Sequence, residues 1–186
     1  MGDVTVLLDE ARQGNGLAID RLFELLFPEL KRIAHARLRF RDDRMLMDTG
    51  ALVNETYLRL LSVERVEVND RGHFLTYAAR VMRSVMVDLV REQRSQRRGG
   101  DHRLVTLDTA AINGASPSGA DEVLRVHEAL EELALIDARL VQVVEMRYFV
   151  GFDTAEIASS LGVTTRTVER DWEKARSFLY QSLKRS

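Results

Sequence analysis

DTAEIASSLGVTTRTVERDWEKARSFLYQSL, residues Asp153 to Leu183, decides what kind of protein this chain forms. Asp153 with Glu156 three residues on is a capping pair, each side chain able to satisfy an orphan amide at a helix start. Ile157, Ala158 and Leu161 follow at helical spacing, and Gly162 stands where a backbone leaving a helix takes positive φ without a Cβ clash. A second helix then starts at Thr164 or Thr165. A capped helix, a glycine turn and a second helix, in that order and spacing, read as a helix-turn-helix.

The second helix has two faces. At about 100° per residue, Val168, Trp172, Ala175 and Leu179 share a narrow packing face, while Arg166, Glu169, Arg170, Glu173 and Lys174 lie opposite. Arginine can bridge guanine O6 and N7, glutamate can accept from cytosine N4, and threonine can meet a phosphate or a thymine methyl. Candidate major-groove contacts are therefore Thr164, Thr165, Arg166, Thr167, Glu169, Arg170 and Lys174. The alternative is a helical hairpin with merely solvated charges, and the ordered cap, turn and second helix weigh against it. Trp172 is expected to be a buried anchor whose truncation to alanine costs roughly 3–5 kcal/mol.

With 45% hydrophobic residues, 30% charged residues and two prolines, the 186-residue chain suits an all-α fold of one large or two small domains. The absence of cysteine excludes structural disulfides and thiolate metal sites and suits a cytoplasmic chain. The opening MGDVTVLLDEARQG carries acids and no basic leader, and no apolar run reaches membrane-spanning length, so no membrane partner is expected. Because the chain ends soon after Leu183, no fused C-terminal regulatory domain is expected. His35, His73, His102 and His127 are widely spaced without a ligand pattern, and there is neither a phosphate-cradling glycine loop nor a nucleophile motif. No cofactor, no metal and no enzymatic activity are expected.

GGDHRLVTLDTAAINGASPSGA, Gly99 to Ala120, lacks a helical period and reads as a linker between 1–98 and 121–186. In the first block, helices are expected at Leu7 to about Gly14, Ala18 to about Phe40 and Thr49 to Leu61. Leu22, Phe23, Leu26, Leu30, Ile33 and Leu38 form a buried stripe. Ser62 to His73 reads as a loop, and a long helix runs from Phe74 to about Arg98. Past the linker, helices are expected at Glu122 to Ile136 and Ala138 to Val150.

A net charge of −2 is unhelpful to a protein holding DNA unaided, because phosphate neutralisation supplies most non-specific affinity. Local charge is segregated. Arg80 to Arg103 holds seven arginines against Asp88, Glu92 and Asp101, and Asp121 to Asp137 holds six acids against Arg125 alone. On the long helix, Phe74, Tyr77, Ala78, Val81, Met82, Val85 and Leu89 share one side, and Arg80, Arg83, Arg91, Arg94 and Arg98 fall within an arc of about 80° on the other. That ridge reads as a phosphate-tracking surface, with a solvated face as the alternative.

Four segments in order carry a resemblance: EARQGNGLAIDRLFELLFPELKRIA (Glu10–Ala34), ALVNETYLRLL (Ala51–Leu61), YAARVMRSVMVDLVR (Tyr77–Arg91) and EMRYFVGFDTAEIASSLGVTTRTVERDWEKAR (Glu145–Arg176). Over nearly its whole length the chain resembles a bacterial sigma factor of the extracytoplasmic-function (ECF) group. The resemblance implies two small helical domains: a region 2 domain at 1–98 that meets the clamp of core RNA polymerase and the −10 element, and, beyond the linker at 99–120, a region 4 domain at 121–186 that reads the −35 element. Core RNA polymerase, through its clamp and flap, and promoter DNA would be the partners. The polymerase would do the chemistry, and its positive surface would offset the modest charge of this chain.

The clamp contacts implied by the resemblance are Asp48, Leu52, Asn54, Glu55, Tyr57 and Arg59. Those implied for the −10 element are Tyr77, Arg80, Arg83, Ser84, Arg91, Arg94 and Arg98. Ser84 stands where many members have Asn, and Glu169 where a basic residue is frequent. An unstacked base needs an aromatic face or pocket; Phe74 is assigned to the core and Tyr77 stays open. The acidic run that usually precedes the clamp-binding segment is reduced to Asp48, Thr49, Gly50 and Ala51. The resemblance to members lacking those acids implies a serine/threonine kinase as partner, with phosphothreonine at Thr49 restoring the charge and Thr56 as the weaker candidate. The alternative is that Thr49 simply caps its helix. An anti-sigma factor is the other regulatory partner that the resemblance admits. Two further classes stay open: a helix-turn-helix regulator with an N-terminal sensing or dimerising domain, and a helical protein-binding adaptor.

Overall fold

The computed structural model describes residues 2–38, 47–62, 68, 70–99 and 119–185. Among them, the first half comprises α1 (Gly2–Arg12), α2 (Gly16–Leu38), α3 (Thr49–Leu61) and α4 (Arg71–Gly99). The second comprises α5 (Gly119–Ile136), α6 (Ala138–Val144), a π-helical stretch Glu145–Val150, α7 (Thr154–Leu161) and α8 (Thr165–Arg185). Every described residue in a regular element is helical, in agreement with the all-α expectation.

In the first half, α1, α2, α3 and α4 pack in sequence order around Leu8, Leu22, Leu30, Ile33, Leu52, Leu60, Phe74 and Met82. Burying each of these side chains is worth roughly 1.5–3 kcal/mol. The whole expected stripe of α2 lies in this core. Helix α3 has the expected limits because Asp48 caps it, accepting from the Ala51 amide at 2.9 Å. Helix α4 begins before Phe74, at Arg71, because Asp70 accepts from the His73 amide at 2.9 Å. Asp70 therefore acts as a cap, although Ser62 to His73 reads as a loop in the sequence.

In the second half, Asp137 breaks α5 from α6 and accepts from the Arg139 amide at 2.9 Å. The single helix expected over 138–150 is instead α6 followed by the wider π turns. Such turns shift the register of side chains away from a 3.6-residue period within Glu145–Val150. Gly151, at φ +86°, ends the stretch; a side chain there would be strained.

The proposed linker at 99–120 lies mostly outside the described residues, between the end of α4 at Gly99 and the start of α5 at Gly119. The two halves pack against each other. Val150 enters the core of the first half, Arg32 donates to the Val150 carbonyl at 2.9 Å, and Val87 and Val90 of α4 cluster with Leu124 of α5. Helix α4 is therefore buried on two sides, where the sequence reading gave it one apolar face. Among the described residues, no helix is long and apolar enough to cross a membrane.

Candidate nucleic-acid interface

The helix-turn-helix is built by its caps. The Glu156 amide donates to Asp153 Oδ1 at 2.8 Å, and the Asp153 amide donates to Glu156 Oε2 at 2.9 Å. These reciprocal bonds satisfy two amides that a helix start leaves unpaired. At the other end of α7, Gly162 takes φ +64°, and the Val163 amide reaches back to the Ala158 carbonyl at 3.0 Å. Thr164 then caps α8: the Thr167 amide donates to its hydroxyl at 3.2 Å and the Val168 amide to its carbonyl at 3.1 Å.

The expected packing face of α8 is present. Val168 and Ala175 are buried, with Val168 seated among Val143, Met146, Ile157 and Ala158. Trp172 and Leu179 are only partly buried. The Trp172 ring bridges the two clusters of this half, with the Arg147 guanidinium 4.9 Å from its centroid. Its solvent-facing side lowers the expected loss on truncation to alanine to about 2–3 kcal/mol, readable as a lower melting temperature.

On the opposite face Thr164, Thr165, Arg166, Glu169, Arg170 and Lys174 are exposed. Thr167 is half-buried and its hydroxyl lies 2.9 Å from that of Thr164, so it serves the cap. Glu173, on the same face, is paired with Arg176 at 2.8 Å.

Sequence reading missed Asp171, which is 1% exposed and accepts from Arg139 Nε at 2.7 Å. That hydrogen bond, with the Asp171 charge, raises the pKa of Arg139 above its ordinary value. The pair ties α8 to α6 and lies beside the exposed polar face, Arg170 Nε being 3.6 Å from Asp171 Oδ1. The signal was available: at helical phase, Asp171 falls beside Val168 and Ala175, an acid on an apolar face.

The basic ridge of α4 departs most from expectation. Arg83 does not face open solvent; it is 7% exposed. Its Nη2 donates to Glu145 Oε1 at 3.1 Å, and Arg80 donates to Glu145 Oε2 through Nε at 3.1 Å and Nη2 at 3.0 Å. Glu145 is fully buried. Arg83 also lies 3.5 Å from Glu131 and 3.1 Å from His127 Nδ1. Burial, with Arg83 beside it, lowers the pKa of His127, favouring a neutral ring whose Nδ1 can accept from the guanidinium. Val87 falls inside the arginine arc at about 100° per residue, the sequence signal that this side packs.

Of the other ridge residues, Arg91 is exposed, while the side chains of Arg94 and Arg98 lie outside the described residues. Ser84 is exposed and lies 3.4 Å from Arg59 Nη1. Tyr77 is half-buried against the first core.

The expected clamp face is divided. Leu52 is 0% exposed and belongs to the core, so it cannot meet a partner directly. Arg59 braces α3 against α4, pairing with Asp88 at 2.7 Å and Glu55 at 3.5 Å. Tyr57 is half-buried and donates to Asp20 at 2.7 Å, a bond that raises the pKa of its phenol. Asp48 and Asn54 are exposed, and Asn54 borders a shallow groove of about 260 Å³ with Phe27, Gly50 and Tyr57. Thr49 is the half-buried first residue of α3, capped by Asp48. Thr56 is sealed in the core, its hydroxyl donating to the Leu52 carbonyl at 2.7 Å, which removes it as a modification site.

Among known families, residues 1–185 match the one described as ECF sigma factor. No curated protein matches the chain.

Proposed function

The chain belongs to the ECF sigma factor family, and from that premise we propose how its residues divide the work. As a family member it binds core RNA polymerase and directs it to promoters, and the polymerase carries the chemistry of transcription initiation. The half at 121–186 reads the −35 element through α8, and the half at 1–98 meets the clamp and the −10 element. The observation that carries this reading is the capped helix-turn-helix with Arg166, Glu169, Arg170 and Lys174 exposed opposite its packed face. Those side chains can reach base edges without disturbing the fold.

Run-off transcription with core polymerase on a pool of genomic fragments tests the assignment. The expected result is a discrete set of start sites that depends on this chain. Transcripts that appear equally without it would sink the reading.

The clamp contact we assign to the exposed Asp48 and Asn54 with the neighbouring Glu55 and Tyr57. We further propose that a serine/threonine kinase regulates it at Thr49. A phosphate there would add about −1.5 to −2 charges at the N-terminal end of α3, where the helix dipole favours an anion. Asp48 already supplies the side-chain cap, leaving the Thr49 hydroxyl without that task. Kinase-treated protein and Thr49→Glu should bind core polymerase more tightly than untreated protein and Thr49→Ala; equal affinities for all four would refute the switch.

A further inference from the structure

Arg80 and Arg83 of the α4 arc are both held by one buried carboxylate. Glu145 receives Arg80 Nε and Nη2 on Oε2 and Arg83 Nη2 on Oε1, with no exposure to water. A carboxylate offers guanidinium groups the same kind of paired oxygens as a phosphate. We propose that Glu145 is an internal stand-in for a DNA phosphate, and that its grip on Arg80 and Arg83 holds the free chain in a closed, autoinhibited form. This rests on the sigma-factor reading of the α4 arginines.

The charge pattern of the chain supports the clasp. The acidic α5 lies across the basic α4 and adds Glu131 at 3.5 Å from Arg83. One covalent chain keeps both partners together, so closure is an intramolecular event at high effective concentration. The clasp is also imperfect. Arg83 Nε and Ser160 Oγ are buried without a hydrogen-bond partner, and Ser160 Oγ lies close to Gly72 at the start of α4. Buried polar atoms left unpaired oppose the closed form, which makes it a state that a partner can open. The polar face of α8 stays exposed meanwhile, so closure buries Arg83 and ties up the half-exposed Arg80 on α4 alone. Core polymerase, by holding the two halves at separate places, would shift the population to the open form.

The chain has no native cysteine, so Gln13→Cys and Ser177→Cys, both at exposed positions, can carry a fluorescent donor and acceptor on the full chain. Energy transfer should be high for the free protein and fall when core polymerase is added. Glu145→Gln should lower it without polymerase and tighten binding to a short labelled single-stranded oligonucleotide about tenfold or more, because a competing closed population is removed. Arg83→Gln should also open the chain but show no such gain. Glu145→Gln that stays closed, or opens without tighter DNA binding, overturns the proposal. If that variant fails to fold, the wild-type titration decides: unchanged transfer in the holoenzyme overturns it. The oligonucleotide arm needs no polymerase, so a chain that fails run-off transcription would sink the sigma-factor reading separately.

Discussion

Phe74→Ala should cost about 3–5 kcal/mol of stability, the largest single loss we expect. Phe74 is 2% exposed and meets Phe23 edge to face at 5.8 Å; Phe23 in turn meets Tyr57 at 5.0 Å. Truncation opens a cavity at the junction of α2, α3 and α4 that rigid neighbours close only in part. Thermal unfolding should show the midpoint falling by roughly 6–20 °C. Tyr77→Ala, at a half-buried position, should lower the midpoint less. An unchanged midpoint for Phe74→Ala, accompanied by lost promoter melting, would instead make Phe74 a ring that holds an unstacked base.

Arg170→Ala should leave folding nearly untouched and change which promoters are used. Its side chain is 61% exposed, and a bidentate arginine-to-guanine contact is worth about 1–3 kcal/mol of discrimination, or roughly 5- to 150-fold between the right and wrong base at that position. Run-off transcription on promoters varied one upstream position at a time should show relaxed preference at a single position. Trp172→Ala provides the contrast, since it should lower the melting temperature while the base preference of the folded fraction persists. If Arg170→Ala unfolds the C-terminal half and keeps the original preference, the face assignment of α8 is wrong. Asp171 sharpens the comparison: its buried carboxylate beside Arg170 serves packing through Arg139, so neighbouring charged residues on one helix have different tasks.

How legible each feature was depended on the distance over which it is encoded. The capping box of α7, the left-handed Gly162, the start of α8 and both limits of α3 follow from hydrogen bonds, from side chain or backbone, that span no more than five residues. Phase along a regular helix likewise identified the core stripe of α2 and the packing face of α8. Two details differ from the sequence reading: the helix expected over 138–150 changes to π turns after Val144, and Asp70 caps α4 from within the stretch that reads as a loop.

The ion pairs of the ridge were illegible for a different reason. Five arginines within one arc look free in a single helix, yet Arg80 and Glu145 are 65 residues apart in the chain, and no local pattern says which acid will come to them. The sequence by itself determined the helical class, the capped α7–turn–α8 unit and the packed and exposed faces of α8, because caps and periodicity act between near neighbours. Only the tertiary structure decided that Leu52 and Thr56 are core, that Arg59 is a brace, and that Arg80 and Arg83 close on Glu145. Burial and ion pairing are settled by whichever surface packs against a helix, and that surface comes from the other half of the chain.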